Sequence, residues 1–143
     1  MTAKGDGLLR LEAVMNQLRS PGGCPWDAEQ THESLVQYLI EETFETVDAI
    51  DSANREDLLE ELGDLLLQVF FHARIAEEHP TQPFSIDDVA NAISDKLIRR
   101  HPHVFPDADG KISSAADAAV VEAKWQQLKN EEKARKSVTE GVP

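Results

Sequence analysis

A single cysteine, Cys24, leaves this sequence no internal disulfide, so its core must hold by packing alone. The start Met1-Thr2-Ala3-Lys4-Gly5-Asp6 is polar and has no apolar run of the kind an export signal carries, so a reducing, cytoplasmic setting is the expectation. Long hydrophobic runs are missing too. Stretches such as Leu65-Leu66-Leu67 and Val69-Phe70-Phe71 fall far short of the ~20 residues that span a bilayer, and no membrane segment is expected. Basic residues are scarce: 14 Lys and Arg stand against 27 Asp and Glu, for a formal charge of −13. A surface of that sign repels nucleic acid and anionic lipid, so neither is expected as a partner. No Gly-x-x-x-x-Gly-Lys run occurs, which excludes a P-loop.

What is present is helical periodicity. With 143 residues, 41% apolar and 29% charged, the chain is long enough for one globular domain, whose core is expected over about 7–136 with a frayed tail from Ser137. No stretch alternates cleanly as a half-buried strand does, and the expected class is all-α, a bundle of four to five helices around an antiparallel hairpin. The first helix covers Gly7 to Arg19 and ends at the Pro- and Gly-rich loop from Ser20 to Pro25. Thr31 is placed to cap a long helix reaching about Asp51. After Ser52-Ala53-Asn54 a second runs from about Arg55 to Glu78, and these two make the hairpin. Ser85 and Asp88 have capping-box spacing before a helix to about Arg100, and Ser114 to Asp117 repeats the signal before a last helix to about Lys136.

The acidic residues of the hairpin are the informative ones. At about 100° per residue, Leu35, Val36, Leu39, Ile40, Phe44, Val47 and Ile50 fill one arc of the first long helix, the expected core stripe, with Glu42 and Glu45 beside it. On the second, Leu58, Leu62, Leu65, Leu66, Val69 and Phe70 share a face, with Glu61 and Asp64 at its edge. Four carboxylates can then face one another across the hairpin. Their repulsion is costly unless a divalent cation sits among them, and an all-oxygen set suits Mg²⁺, with Mn²⁺ as a substitute, better than Zn²⁺. Against this stands the plainer reading of solvated helix faces.

Three cations, Lys96, Arg99 and Arg100, crowd the end of a later helix; they match a phosphate chain, or a basic last turn favoured by the helix dipole. Trp26 and Trp125 can stack on a base, or anchor a loop and fill the core respectively. Leu67, Phe71 and Ile75 lie opposite the main stripe of the second long helix, an arrangement that favours burial against a second copy in a homodimer or higher homo-oligomer.

The motifs Gly23-Cys24-Pro25-Trp26-Asp27 with Gln30-Thr31-His32, Glu41-Glu42-x-x-Glu45, Glu61-Leu62-Gly63-Asp64 and Asp95-Lys96-Leu97-Ile98-Arg99-Arg100-His101-Pro102-His103-Val104-Phe105 together resemble the MazG-type nucleoside triphosphate pyrophosphohydrolases, of the all-α NTP pyrophosphatase superfamily. The resemblance covers about residues 7 to 135, one copy of a domain that many members carry in tandem. It implies that Glu42, Glu45, Glu61 and Asp64 hold Mg²⁺, that Lys96 and Arg100 meet the triphosphate, and that Trp125 lies near the nucleotide. The expected activity is hydrolysis of nucleoside triphosphates to monophosphate and pyrophosphate, in housecleaning of nucleotide pools, with Glu41 or Glu45 as general base. Two alternatives stand beside it: a pyrophosphatase narrow for dUTP or another deoxynucleotide, and a catalytically weak helical module binding a nucleotide or a protein.

Overall fold

The computed structural model describes residues 3–111 and 117–140. Among the described residues are six helices and no strand: α1 (Asp6–Arg19), α2 (Pro25–Glu29), α3 (His32–Ser52), α4 (Arg55–Ala76), α5 (Ile86–Arg100) and α6 (Ala118–Glu140). The chain divides into two compact units, the first ending at Val89 and the second beginning at Ala90.

In the first unit the helix boundaries follow from local hydrogen bonding. The Thr31 hydroxyl accepts from the Ser34 amide at 3.1 Å while the Ser34 hydroxyl accepts from the Thr31 amide at 2.8 Å, a reciprocal cap that starts α3. The Asn54 side chain accepts from the amides of Glu56 and Asp57 and starts α4. Between them Ala53 turns the chain in the left-handed region, at φ 56°. Ser85 and Asp88 exchange bonds of 2.8 and 3.2 Å to open α5 as the spacing anticipates. Helix α2 is the element that the loop-rich composition hides: Pro25 supplies its first position and Cys24 its cap.

Helices α3 and α4 pack along each other, and α1 packs on α4. The core is Met15, Leu35 and Phe71, each at most 2% exposed, with Leu18, Tyr38, Leu67 and Ile75 packed around it. This reverses two expectations. Leu67, Phe71 and Ile75 do not wait for a second copy; the α1 side of the unit covers them. Of the α3 stripe only Leu35 is buried, whereas Val36, Leu39, Ile40, Phe44, Val47 and Ile50 are exposed, as are Leu62, Leu66 and Val69 on α4. Each long helix carries two apolar flanks, and one short helix, α1, can cover only one side of the hairpin.

Arg19 ties the pieces together. Its guanidinium donates to the carbonyls of Asp27 and Gln30 at 2.7 and 2.9 Å and pairs with Glu78 at 2.6 Å, so α1, the α2 segment and the end of α4 share one buried cation. That guanidinium, with Arg74, holds the Glu78 carboxyl below the usual range.

In the second unit Asp107 accepts from the amides of Asp109 and Lys111, both at 2.9 Å, and closes the turn that contains Gly110. Asp117 caps α6 through the Val120 amide at 3.0 Å; the Ser114 half of the expected cap lies outside the described residues. Helix α6 runs from Ala118 to Glu140.

Candidate metal centre

The hairpin sets the site. Thr46, 7% exposed, donates from its hydroxyl to the Glu42 carbonyl at 2.7 Å and lies 3.4 Å from the Glu61 carbonyl, so the two helices touch at the level of the acids. There Glu42, Glu61 and Asp64 each present a carboxylate oxygen within 4.8 Å of the other two. Partial burial, then repulsion from Asp64 and Glu45, pushes the Glu42 carboxyl above its usual range. Glu61 is raised for the same reasons. Its Oε2 is buried with no hydrogen-bond partner. A buried acceptor without a donor, in a ring of like charges and oxygen atoms only, fits a hard divalent cation such as Mg²⁺ or Mn²⁺.

Glu45 stands outside this trio. It is exposed, lines a cavity of about 200 Å³ with Asp48, Asp57 and Glu61, and is close enough for its charge to raise both Glu42 and Glu61. Glu41 is exposed beside them. Trp26 is half-exposed and meets the Tyr38 ring edge-on, with centroids 5.8 Å apart. In the second unit Lys96 is exposed, and Arg99 and Arg100 both pair with Glu132 at 2.9 and 2.6 Å. Arg100 and Lys129 lie 5.4 and 5.0 Å from the centre of the Trp125 ring, so that ring packs among cations.

Two polar residues of α4 that the sequence reading passed over come next along the helix from Asp64. Gln68 is 6% exposed with its Oε1 unpartnered, and His72 has a buried, unpartnered Nε2. The His72 Nδ1 lies 2.7 Å from the Nδ1 of His32, and the rings stack at 5.0 Å. Burial, with His32 alongside, holds His72 below the usual imidazole range. Their signal in the sequence is spacing: positions 61, 64, 68 and 72 fall within one narrow stripe of a helix.

Residues 30–105, which include the carboxylate trio, match the family model described as the MazG nucleotide pyrophosphohydrolase domain. The chain belongs to the MazG family. A 26.1 kDa protein of Streptomyces cacaoi, named as uncharacterized, is 53% identical to this MazG chain over 140 residues, 97% of the chain and 55% of that protein. A protein of Escherichia coli named nucleoside triphosphate pyrophosphohydrolase is 50% identical over 129 residues, 90% of the chain and 46% of that protein. The chain thus spans about half the length of these curated relatives. The crystal structure of a MazG-related protein from Thermotoga maritima superposes with a TM-score of 0.66 at 23% identity, covering 85% of this chain and 98% of that one, and shows the same all-α fold.

Proposed function

We propose that this chain hydrolyses nucleoside triphosphates to nucleoside monophosphate and pyrophosphate. The observation that carries the reading is the Glu42, Glu61 and Asp64 trio with its unpartnered Glu61 Oε2, inside the residues that match the MazG domain. Glu42, Glu61 and Asp64 would hold a divalent cation, which would supply positive charge to offset the phosphate oxygens and make a water easier to deprotonate. The chain's own residues do the rest. Glu42, Glu61 and Asp64 fix the position of that charge, and Glu45, outside the trio yet beside it, accepts the proton of the water. Lys96 and Arg100 meet the phosphate oxygens, with Arg99 adjacent, and Trp125 lies near the nucleotide; these roles rest on the family resemblance. The service is removal of unwanted triphosphates from the cytoplasmic pool.

Product analysis tests the reaction. With Mg²⁺ present, phosphorus NMR should find monophosphate and pyrophosphate as the first products. Diphosphate with orthophosphate would reject it.

We infer further that two copies associate through the apolar flank of the hairpin that is exposed among the described residues. Val36, Ile40, Phe44 and Val47 form one exposed stripe on α3, and Leu59, Leu62, Leu66 and Val69 another on α4. Burial is worth roughly 1.5 to 3 kcal/mol for each large side chain, and soluble monomers rarely leave so many exposed together.

A further inference from the structure

Arg99 and Arg100 end α5, and two like charges on successive residues repel one another. One carboxylate on α6 reconciles them. Glu132 Oε1 accepts from Arg99 Nε at 2.9 Å, while its Oε2 accepts from Arg100 Nη2 at 2.6 Å and from Arg100 Nε at 3.2 Å. Each oxygen therefore serves a different guanidinium. The bonds use one edge only: Nε and Nη2 form the side of a guanidinium, and its two Nη groups form the end. Among the described residues no other hydrogen bond falls on either group, so Arg99 keeps both Nη groups free and Arg100 keeps Nη1. Arg100 is also held by packing. Its side chain is 11% exposed and meets the Trp125 ring, whose centre lies 5.4 Å away, whereas that of Arg99 is 55% exposed. The neighbouring Glu131 offers a contrast on the same helix: it accepts from Gln127 at 3.3 Å and meets neither arginine.

We propose that Glu132 is a positioning residue, which aligns Arg99 and Arg100 so that their free Nη groups receive the phosphate oxygens of a nucleoside triphosphate. The inference rests on the nucleotide reading given above and adds the residue that prepares its phosphate contacts. The edge that Glu132 takes decides the direction of its effect. A carboxylate seated on the Nη ends would compete with phosphate for the same donors; seated on the sides it leaves the ends, which match two phosphate oxygens at once. Charge points the same way. Two guanidiniums and one carboxylate keep a net positive charge, so an anion is still attracted while the mutual repulsion of the arginines is offset. An arginine also has many rotamers, and one fixed before the substrate arrives loses less entropy on binding. The two arginines hold the Glu132 carboxyl well below the usual range, so it stays charged and the arrangement persists at neutral pH.

The test compares steady-state turnover by wild type, Glu132→Gln and Glu131→Gln, with Mg²⁺ and a panel of ribo- and deoxyribonucleoside triphosphates. Both variants remove one negative charge from α6, and only the first removes the carboxylate that the arginines share. Glu132→Gln should raise KM roughly tenfold, the equivalent of one charge-assisted hydrogen bond, and leave kcat within about twofold. Glu131→Gln should match wild type. An unchanged or lower KM in Glu132→Gln overturns the positioning role and leaves the pyrophosphohydrolase reading standing; a lower one would mean that the carboxylate competes with substrate. An equal rise in Glu131→Gln also overturns it, since net charge alone would then be acting. A second measurement needs no variant. In wild type the Arg99 and Arg100 Nε–H signals should stay protected from exchange in nitrogen NMR when inorganic pyrophosphate is added, and loss of that protection would show Glu132 displaced and overturn the role. A wild-type chain that turns over none of the panel overturns the nucleotide reading and the positioning role with it.

Discussion

Arg100 and Glu132, 32 residues apart, meet through a charge-assisted hydrogen bond of 2.6 Å from Nη2 to Oε2. Arg99 takes the other carboxylate oxygen at 2.9 Å. Hydrogen bonds from these two guanidiniums, Arg100 first, hold the Glu132 carboxyl down at about 2. Because the folded value is depressed, the contribution to stability is present above the ordinary carboxylate range and is lost as pH falls through about 2. NMR titration of the Glu132 carboxyl carbon should inflect near that value, and Arg100→Lys, which loses the planar fork, should move it upward. An inflection in the usual range in the wild type would dissolve the pairing.

Glu42 and Glu61 carry the opposite sign. Their folded values are raised, so between the ordinary carboxylate value and the raised one the native state binds more protons than the unfolded chain, and stability falls as pH rises through that window. Glu61→Gln should therefore melt at a higher temperature than wild type at neutral pH in chelator. Added Mg²⁺ should raise the wild-type melting temperature and leave the variant's nearly unmoved. A wild-type melt insensitive to Mg²⁺, Mn²⁺ and pH alike would remove the metal centre.

Within the acidic group the distances predict a graded response. Glu42→Gln, Glu61→Gln and Asp64→Asn each remove a member of the 4.8 Å trio and should abolish measurable Mg²⁺ binding. Glu45→Gln acts from outside it and should weaken binding by the ~10-fold typical of an outer partner, while lowering kcat through loss of the proton acceptor. Equal Mg²⁺ affinities across all four variants would contradict that ordering.

The two flanks of the hairpin separate stability from assembly. Phe71, 2% exposed beside Met15 and Leu35, should cost about 3–5 kcal/mol as Phe71→Ala in a denaturant titration. Phe44 is 66% exposed, so Phe44→Glu should leave the fold intact and give the monomer mass in light scattering. An undiminished dimer in that variant would move the interface off α3.

What the sequence made legible was whatever depends on near neighbours. Thr31, Asn54 and Ser85 start helices through bonds to residues two or three positions away, so their spacing alone locates α3, α4 and α5. Glu61 and Asp64 share a helix edge by the same angular arithmetic that brings Glu42 near them once the hairpin closes. Periodicity gives an angle and not the neighbour that covers it, which is why Phe71 read as an interface residue and Phe44 as core. Arg19 marks only the end of the first helix in the sequence, since its partners, the Asp27 and Gln30 carbonyls, reach it through the fold. Gln68 and His72 carry no mark in the sequence beyond their spacing, because burial without a partner is a property of three dimensions.

Two backbone positions predict opposite signs for exchanging alanine and glycine. At Gly23 a Cβ would overlap the carbonyls of Gln17 and Leu18, because the loop after α1 folds back until the Cys24 amide bonds the Leu18 carbonyl at 2.8 Å. Those carbonyls are backbone and cannot swing aside, so Gly23→Ala must shift the whole loop, at about 1–3 kcal/mol as for other overpacked sites. Since the same loop carries Cys24 and Pro25, which start α2, the variant should also disturb the Trp26 contact with Tyr38 and change tryptophan fluorescence before global unfolding. Ala53 is the reverse case. It caps α3 at φ 56° and ψ 23°, a conformation that costs an L-residue roughly 1–2 kcal/mol and glycine almost nothing. Part of that gain is lost to the greater freedom of glycine in the unfolded chain, about 0.4–1 kcal/mol, which leaves Ala53→Gly more stable by about 0.5 kcal/mol or slightly more. Equilibrium denaturation of the two variants beside wild type should give midpoints on either side of it. A stabilised Gly23→Ala would mean that the loop does not pass against α1 as described, and a destabilised Ala53→Gly would place the turn between α3 and α4 outside the left-handed region.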